Sequence, residues 1–257
     1  MENFNQDALA QKLRTRWMGR AAHFFESVDS TQVVARKLIA ENCPDGTLVV
    51  ARAQSAGFGR RDRIWDSARG GLWASLVLPA AFPRQGYGAF SLVCALAIAQ
   101  AIEELVAIRC HLKWPNDVWC KDKKVCGILS EMEEKFLILG FGVNVENELP
   151  PELQNQAANL AQLSSKKIDR LLLCAQILNK LEIYFQLFKE QSFAPFYEPY
   201  IERCLWKGEA VFLQEGSQIW SGTLTEINLQ GQLVLKDKFG EQKKFSAGEV
   251  SLRLNPN

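Results

Sequence analysis

The run from Ala89 to Ile102 constrains this chain more than any other segment. It is apolar apart from Ser91 and Gln100, and at about 14 residues it falls short of the roughly 20 that cross a bilayer. A stretch apolar on every side has to be buried on every side. Residues 88–106 are therefore predicted to form a long core helix. The segments around it read as strands: Thr47 to Gln54 and Leu72 to Leu78 before it, then His111 to Trp114, Val125 to Met132 and Phe136 to Val145 after it. Lys121 to Lys124 is a polar tetrapeptide between apolar runs and suits a hairpin turn. Asp29-Ser30-Thr31 places N-cap residue types before a helical pattern carrying Val34, Leu38 and Ile39. Residues 150–166 read as irregular, and Lys167 to Lys189 as a helix followed by a proline-interrupted helical stretch to about Trp206. Helices mixed with antiparallel strands predict an α+β fold, a mixed sheet flanked by helices.

From Gly208 the pattern changes to short strands (AVFLQ, IWSGTLTEI, QLVLK, KKFS, VSLRL) with turn residues between them. That spacing predicts a small C-terminal β-barrel of about 50 residues. The boundary falls near 207, giving domains 1–207 and 208–257, which 257 residues with 47% apolar content can support.

Thirty basic and 29 acidic residues leave a net charge of +1, no basis for a general polyanion binder. The seven cysteines include no C-x-x-C pair, and with two histidines there is no zinc pattern. They read as reduced thiols of an intracellular protein. The polar start, MENFNQDALAQK, lacks the apolar core of a signal peptide. The expectation is a cytoplasmic protein with no membrane segment.

Two segments carry candidate chemistry. The loop from Gln54 to Trp65 has Gly57 and Gly59 two apart and Arg60, Arg61 and Arg63 within four residues. Glycines let backbone N–H groups approach a ligand, and guanidinium forks suit phosphate oxygens. It is neither a P-loop nor a complete dinucleotide fingerprint, and a solvated basic loop has the same composition. Lys113-Trp114-Pro115-Asn116-Asp117 sets a cation, an aromatic, an amide and a carboxylate around a rigid proline; an ordinary turn would also accept Pro-Asn-Asp. Lys124 to Glu131 follows, with Gly127 leaving room against the backbone for something to lie there.

Together these segments resemble the bacterial biotin–protein ligases, in the form without an N-terminal DNA-binding domain. The family's Q-x-x-G-R-G-R-x-x-R-x-W loop stands here as Gln54 to Trp65, its K-W-P-N-D as Lys113 to Asp117, and its K-x-x-G-I-L-x-E as Lys124 to Glu131. Asp29-Ser30-Thr31, Gly140 to Asn144 and Gly248 to Arg253 match further motifs, in order, over residues 24–253. The resemblance implies the biotin/lipoate ligase catalytic fold with an SH3-like C-terminal barrel. It implies activation of biotin by ATP to biotinyl-5'-AMP, with Mg²⁺ accompanying the ATP and no protein metal site assigned. Transfer to a lysine of a biotin carboxyl carrier protein follows.

Carried over residue by residue, biotin binding falls to Ser30, Thr31, Gln32, Gln54, Gly57, Phe58, Gly59, Arg60, Lys124 and Gly127. ATP binding falls to Arg60, Arg63, Trp65, Asn116, Lys124 and Asn144, and catalysis to Arg60, Lys124 and Asp117. Trp65, Ile128 and Leu129 are candidate walls for biotin's valeryl chain. Asp117 is the expected base toward the acceptor lysine, and the loop 55–71 is expected to order on ligand binding. Phe58 stands where the family usually has arginine, Gln32 replaces its asparagine, and Ala157 to Leu160 match only loosely. Lipoate ligases carry a different glycine loop and a downstream histidine. A DNA-binding repressor is disfavoured by neutral charge and by the roughly 23 residues before the first motif strand. A homodimer is compatible with an exposed edge strand.

Overall fold

The computed structural model describes residues 4–246 and 250–254. In chain order the elements are α1 (Gln6–Ala10), β1 (Ala22–Phe25), α2 (Thr31–Ala40), β2 (Leu48–Ala51), β3 (Leu72–Pro79), α3 (Gly86–Val106), β4 (Cys110–Lys113), β5 (Asp117–Cys120), β6 (Lys123–Glu133) and β7 (Phe136–Val143). Then follow α4 (Leu160–Leu163), α5 (Arg170–Gln191), α6 (Tyr197–Ile201), β8 (Ala210–Glu215), β9 (Gln218–Ile227), β10 (Leu233–Lys236), β11 (Gln242–Phe245) and β12 (Val250–Leu254). A seven-stranded sheet runs in the order β1-β2-β3-β7-β6-β5-β4, parallel only between β1 and β2. The last five strands form the antiparallel sheet β11-β10-β9-β8-β12 of an SH3-like barrel. The fold is the expected α+β class. Gly248 and Glu249 of the C-terminal motif lie outside the described residues.

Strand alternation assigns the two faces of the large sheet. Leu48, Val50, Leu76 and Leu78 enter the main core with α3 and α5, whereas Val49, Val77 and Ile138 pack under Ala35 of α2 on the opposite face. The core helix is longer than the apolar run, 21 residues from Gly86. By length and composition α3 and α5 could each span a membrane, but 72% and 50% of their apolar windows is buried in this fold. The strand expected from Thr47 to Gln54 ends at Ala51, because Gln54 leaves the ladder to bridge Val28 and Ser67. The turn after β5 is tighter than Lys121 to Lys124: Lys121 and Asp122 take positive φ, and Lys123 already begins β6. The stretch 150–166 contains α4, capped by a reciprocal Asn159–Gln162 box. All seven cysteines are free thiols.

The sheet edge at β4 is covered rather than exposed. Leu112 N donates to Arg203 O at 2.7 Å, and Leu205 N donates to Leu112 O at 2.9 Å. Arg203 anchors this strap by a forked pair to Glu103 of α3, at 3.3 and 2.8 Å, with side chains 10% and 17% exposed. Burial opposes charge on Glu103, but Arg203 and the Cys110 amide outweigh it and hold its pKa below the ordinary 4.5. A depressed carboxylate stabilises the fold fully above the ordinary value and loses that contribution as pH falls through the lower one. Glu103→Gln should therefore cost about 2 kcal/mol at pH 7. In urea melts the deficit should shrink as pH drops below 4.5; a pH-independent deficit would assign the loss to packing.

Candidate active site

Helix α2 covers only part of its sheet face. Where it stops, the ladder puts Trp73, Gly142, Gly127, Asp117 and Lys113 opposite one another in a single row across β3, β7, β6, β5 and β4. Two glycines in mid-row leave a trough. Trp65, from the loop after β2, lies in it. A Cβ on Gly142 would sit 2.5 Å from Trp65 Nε1, and one on Gly127 would sit 3.0 Å from Cζ3. Trp65 also packs edge-on to Trp73 at 6.5 Å. The room foreseen at Gly127 is thus filled by the tryptophan of the glycine-arginine loop. Gly140 plays the same part for Gln32, whose Cδ would lie 3.0 Å from an added Cβ.

Above this floor is a cavity of about 620 Å³. Ser30, Thr31, Gln32, Gln54, Phe58, Gly59, Arg60, Arg63, Trp65, Asn116, Asp117, Lys124, Gly127 and Asn144 all line it, as do Ile128 and Leu129. Gly57 does not: it is buried behind the loop, where a Cβ would meet Ser67 Oγ at 2.5 Å and Trp65 O at 2.6 Å. Gly59 faces open space, with its nearest neighbour at 3.8 Å. Of the two glycines only Gly57 is required by the packing of the loop itself.

One end of the cavity is a polar ladder. Ser75 Oγ donates to Thr31 Oγ1 at 2.8 Å, and Thr31 donates through N and Oγ1 to Gln54 Oε1 at 2.8 and 3.1 Å. Gln54 Nε2 donates to Ser67 Oγ at 2.7 Å, which donates on to Trp65 O at 3.0 Å. Ser30 caps α2 by accepting from Gln32 N at 3.3 Å. Gln32 Nε2 is held by Glu131 at 2.8 Å, while its buried Oε1 has no donor. Buried polar atoms are normally paired, so this end presents a fixed, unfilled acceptor.

The other end is cationic. Lys124 Nζ lies 2.7 Å from Asp117 Oδ1 and 4.9 Å from the Trp65 ring centroid. Arg60 Nη1 donates to Asn116 Oδ1 at 3.3 Å, and Asn116 Nδ2 donates to Ile128 O at 2.7 Å. Arg60, Arg61, Arg63, Lys113, Lys124 and Arg253 face only Asp66 and Asp117 among the lining residues, six cations to two carboxylates. Burial lowers the pKa of both Arg60 and Lys113, and Asp117 offsets this in part. A cavity this positive in a chain of net charge +1 is built for an anion. The Trp65 indole N–H is buried without an acceptor and adds a further unmet donor.

Lys113 lines the cavity although no role was assigned to it from sequence, and two further contacts support residues that were assigned. Lys113 sits between the rings of Trp119 and Trp206, at 5.0 and 4.8 Å. Asn144 is buried and accepts from Asn147 at 3.1 Å, and Asn159 donates to Asn147 O at 2.9 Å, an amide cluster within the connection from β7 to α4. Residues 156–158 run beside Lys124, with Lys124 N donating to Gln156 O at 2.9 Å and Ala158 N to Lys124 O at 3.0 Å. The only local signal for these was asparagine density. Among the described residues no cluster of three metal-ligating side chains exists.

Residues 24–144 match the Biotin/lipoate A/B protein ligase family. The chain is 35% identical over 252 residues to the Bifunctional ligase/repressor BirA of Bacillus subtilis, covering 91% of this chain and 75% of that protein. It is 33% identical over 212 residues to the Biotin--[acetyl-CoA-carboxylase] ligase of Mycobacterium tuberculosis, covering 80% and 79%. The structure of the biotin protein ligase from Aquifex aeolicus in complex with biotin and ATP superposes with a TM-score of 0.85 at 34% identity, covering 92% of this chain and 100% of that one.

Proposed function

The chain belongs to the Biotin/lipoate A/B protein ligase family, and from that premise we propose that its cavity activates biotin with ATP and passes it to a carrier lysine. It is an ATP-dependent biotin–protein ligase of the biotin–[acetyl-CoA-carboxylase] type. The observation that carries the reading is the polarity of one cavity, neutral polar groups at one end and an excess of cations at the other.

The ureido ring goes to the polar end. Gln32 Oε1 is ready to accept from a ring N–H, and Ser30 and Gln54 offer hydroxyl and amide hydrogens. The valeryl chain lies along Trp65, Ile128 and Leu129. Its carboxylate then arrives beside Lys124 and Arg60, which hold it against the α-phosphate of ATP while both anions are neutralised. A carboxylate oxygen bonds to the α-phosphorus, the bond to the bridging oxygen breaks, and diphosphate leaves. Arg63, and backbone amides at Phe58 and Gly59, attend the phosphates; Asn144 supplies its amide to adenine. Among the described residues Asp66 and Asp117 are the only carboxylates lining the cavity, and Asp117 is paired to Lys124. Mg²⁺, which keeps few protein ligands and prefers phosphate and water, fits as a passenger on ATP rather than as a resident ion.

In the second step the acceptor amine bonds to the acyl carbon, AMP leaves with the bonding pair, and the amine proton must go to a base. A lysine near pKa 10.4 is mostly protonated at neutral pH, and Asp117 is our candidate to orient it and take that proton. The 2.7 Å pair with Lys124 means the two act as one unit.

We place a domain boundary near residue 207, and the protein in the cytoplasm, where seven free thiols persist. A homodimer, or pairing with an acceptor hairpin, would use the β1 edge, since 203–205 covers β4 at Leu112. Net charge +1 supports ligation over duplex binding. Mixing the protein with Mg-ATP, a carrier domain and either biotin or lipoate, then weighing the carrier, tests the reading. A biotin-sized mass gain is expected; a gain with lipoate alone would replace the substrate.

The loop from 55 to 71 bears on the first step. Its tip carries Ile64, 92% exposed, and Arg61 with φ of 58°. Gly57, Trp65 and Ser67 anchor its two sides, and the tip from Arg61 to Ile64 between them is exposed. Trypsin cleavage near Arg61 is expected to slow at least tenfold with biotin plus ATP bound; equal cutting with and without ligands would count against closure of the loop over the adenylate.

A further inference from the structure

Besides Arg253 at the cavity, the C-terminal barrel reaches the hairpin that follows β4 through a turn. In the β9–β10 turn, Asn228 Oδ1 accepts from Gln230 N at 3.0 Å and Gln232 N at 2.9 Å, and Gly231 N donates to Asn228 O at 2.8 Å. This turn is pushed into the larger domain. Gly231 has φ of 74°, and an added Cβ would lie 2.8 Å from Ala89 Cα at the start of α3. Only glycine satisfies both the backbone angle and the space. In this seat Gly231 O accepts from the indole N–H of Trp114 at 3.1 Å. Trp114 is 1% exposed and directly precedes the turn carrying Asn116 and Asp117.

We propose that the β9–β10 turn is a positioning element of the cavity: the Gly231 carbonyl holds the Trp114 indole, and through it fixes the hairpin that presents Asn116 and Asp117. Asn116 is the next link. It exchanges two bonds with Ile128 of β6, 3.0 Å from Ile128 N to Asn116 O and 2.7 Å from Asn116 Nδ2 to Ile128 O, and it accepts from Arg60 at 3.3 Å. A chain of contacts therefore runs from the barrel turn to the loop arginine. Trp114, Gly231 and Asn228 touch no reacting atom in this scheme; they act through Asn116 and Asp117. The barrel thereby gains a role beyond capping the larger domain. The link between this positioning and rate rests on the proposed ligase activity; the positioning itself does not.

Two variants of the full chain test it. Trp114→Phe keeps the ring's bulk and removes the donor; Gly231→Ala keeps the donor and displaces the turn. In each, hydrogen exchange at the Ile128 amide should speed up at least tenfold while amides of β2 and β3 hold their protection. Diphosphate exchange should lose about tenfold in kcat with KM for biotin unchanged, as expected when geometry rather than binding is disturbed. The double variant should be no worse than the poorer single one, because both cut the same link. Native Ile128 protection in both variants, or losses that multiply in the double, would overturn the proposal. If Gly231→Ala does not fold, Asn228→Ala, which releases the turn without a clash, replaces it under the same criteria. Slowed chemistry in the absence of any change at Ile128 would likewise reject it. Faster Ile128 exchange in a chain inactive on biotin would leave the positioning standing and reject the ligase reading instead.

Discussion

Lys124→Gln should reduce biotin-dependent diphosphate exchange by about 10²- to 10³-fold, the range seen when a group poised at developing charge is removed. Lys124 lies over the floor of the cavity, 2.7 Å from Asp117 and 4.9 Å from the Trp65 centroid. Glutamine keeps hydrogen-bonding capacity but neither the charge nor the reach. It also leaves Asp117, 16% exposed, facing the incoming biotin carboxylate without its partner. Repulsion between those two carboxylates adds to the loss, so kcat and biotin affinity should both fall. Asp117→Asn serves as the companion. Sequence alone suggests that it slows transfer to lysine far more than it weakens biotin binding; the ion pair argues that adenylation slows as well, by about tenfold. In a double-mutant cycle the two losses should not multiply. Multiplying losses would mean that the carboxylate and the ammonium act separately, and Lys124→Gln retaining more than a tenth of the exchange rate would remove Lys124 from the reaction.

Gly142→Val should separate stability from binding. A Cβ at this position meets Trp65 Nε1 at 2.5 Å and Cε2 at 2.9 Å, so the indole must leave the trough. Valine itself suits the interior of β7, where it gains β-propensity over glycine. The expected result is a melting temperature within a few degrees of the parent and affinities for biotin and ATP lower by about 100-fold, roughly 2.7 kcal/mol. Calorimetric titration reads the affinity, and Trp65 fluorescence should shift toward that of an exposed indole. Unchanged affinity would show that the stack of Trp65 on Gly127 and Gly142 has no part in binding.

Local patterns in the chain were enough for the layered α+β architecture. Hydrophobic runs report period and burial directly, so the long helix, β3, β6, β7 and the change to short strands at 208 were legible. What failed was local too: the end of β2, where Gln54 leaves the ladder for Thr31 and Ser67, and the turn at Lys121–Asp122. The first was decided by partners 23 and 13 residues away in sequence, the second by positive φ at two residues that are not glycine.

Residue chemistry by itself determined which types gather at the cavity. Arginines, glycines, a Trp-Pro-Asn-Asp turn and a lysine followed by glycine are all written in order along the chain. Only the tertiary structure decided which of them meet. Gly57 proved to be loop packing and Gly142 the seat of Trp65. Lys113, Asn147 and Arg203 took on roles their local surroundings did not announce. The physical reason is register. Cross-strand partners such as Trp73, Gly142, Gly127 and Asp117 come from four strands spread over 70 positions, and nothing in any one strand encodes which residue of the next lies opposite it.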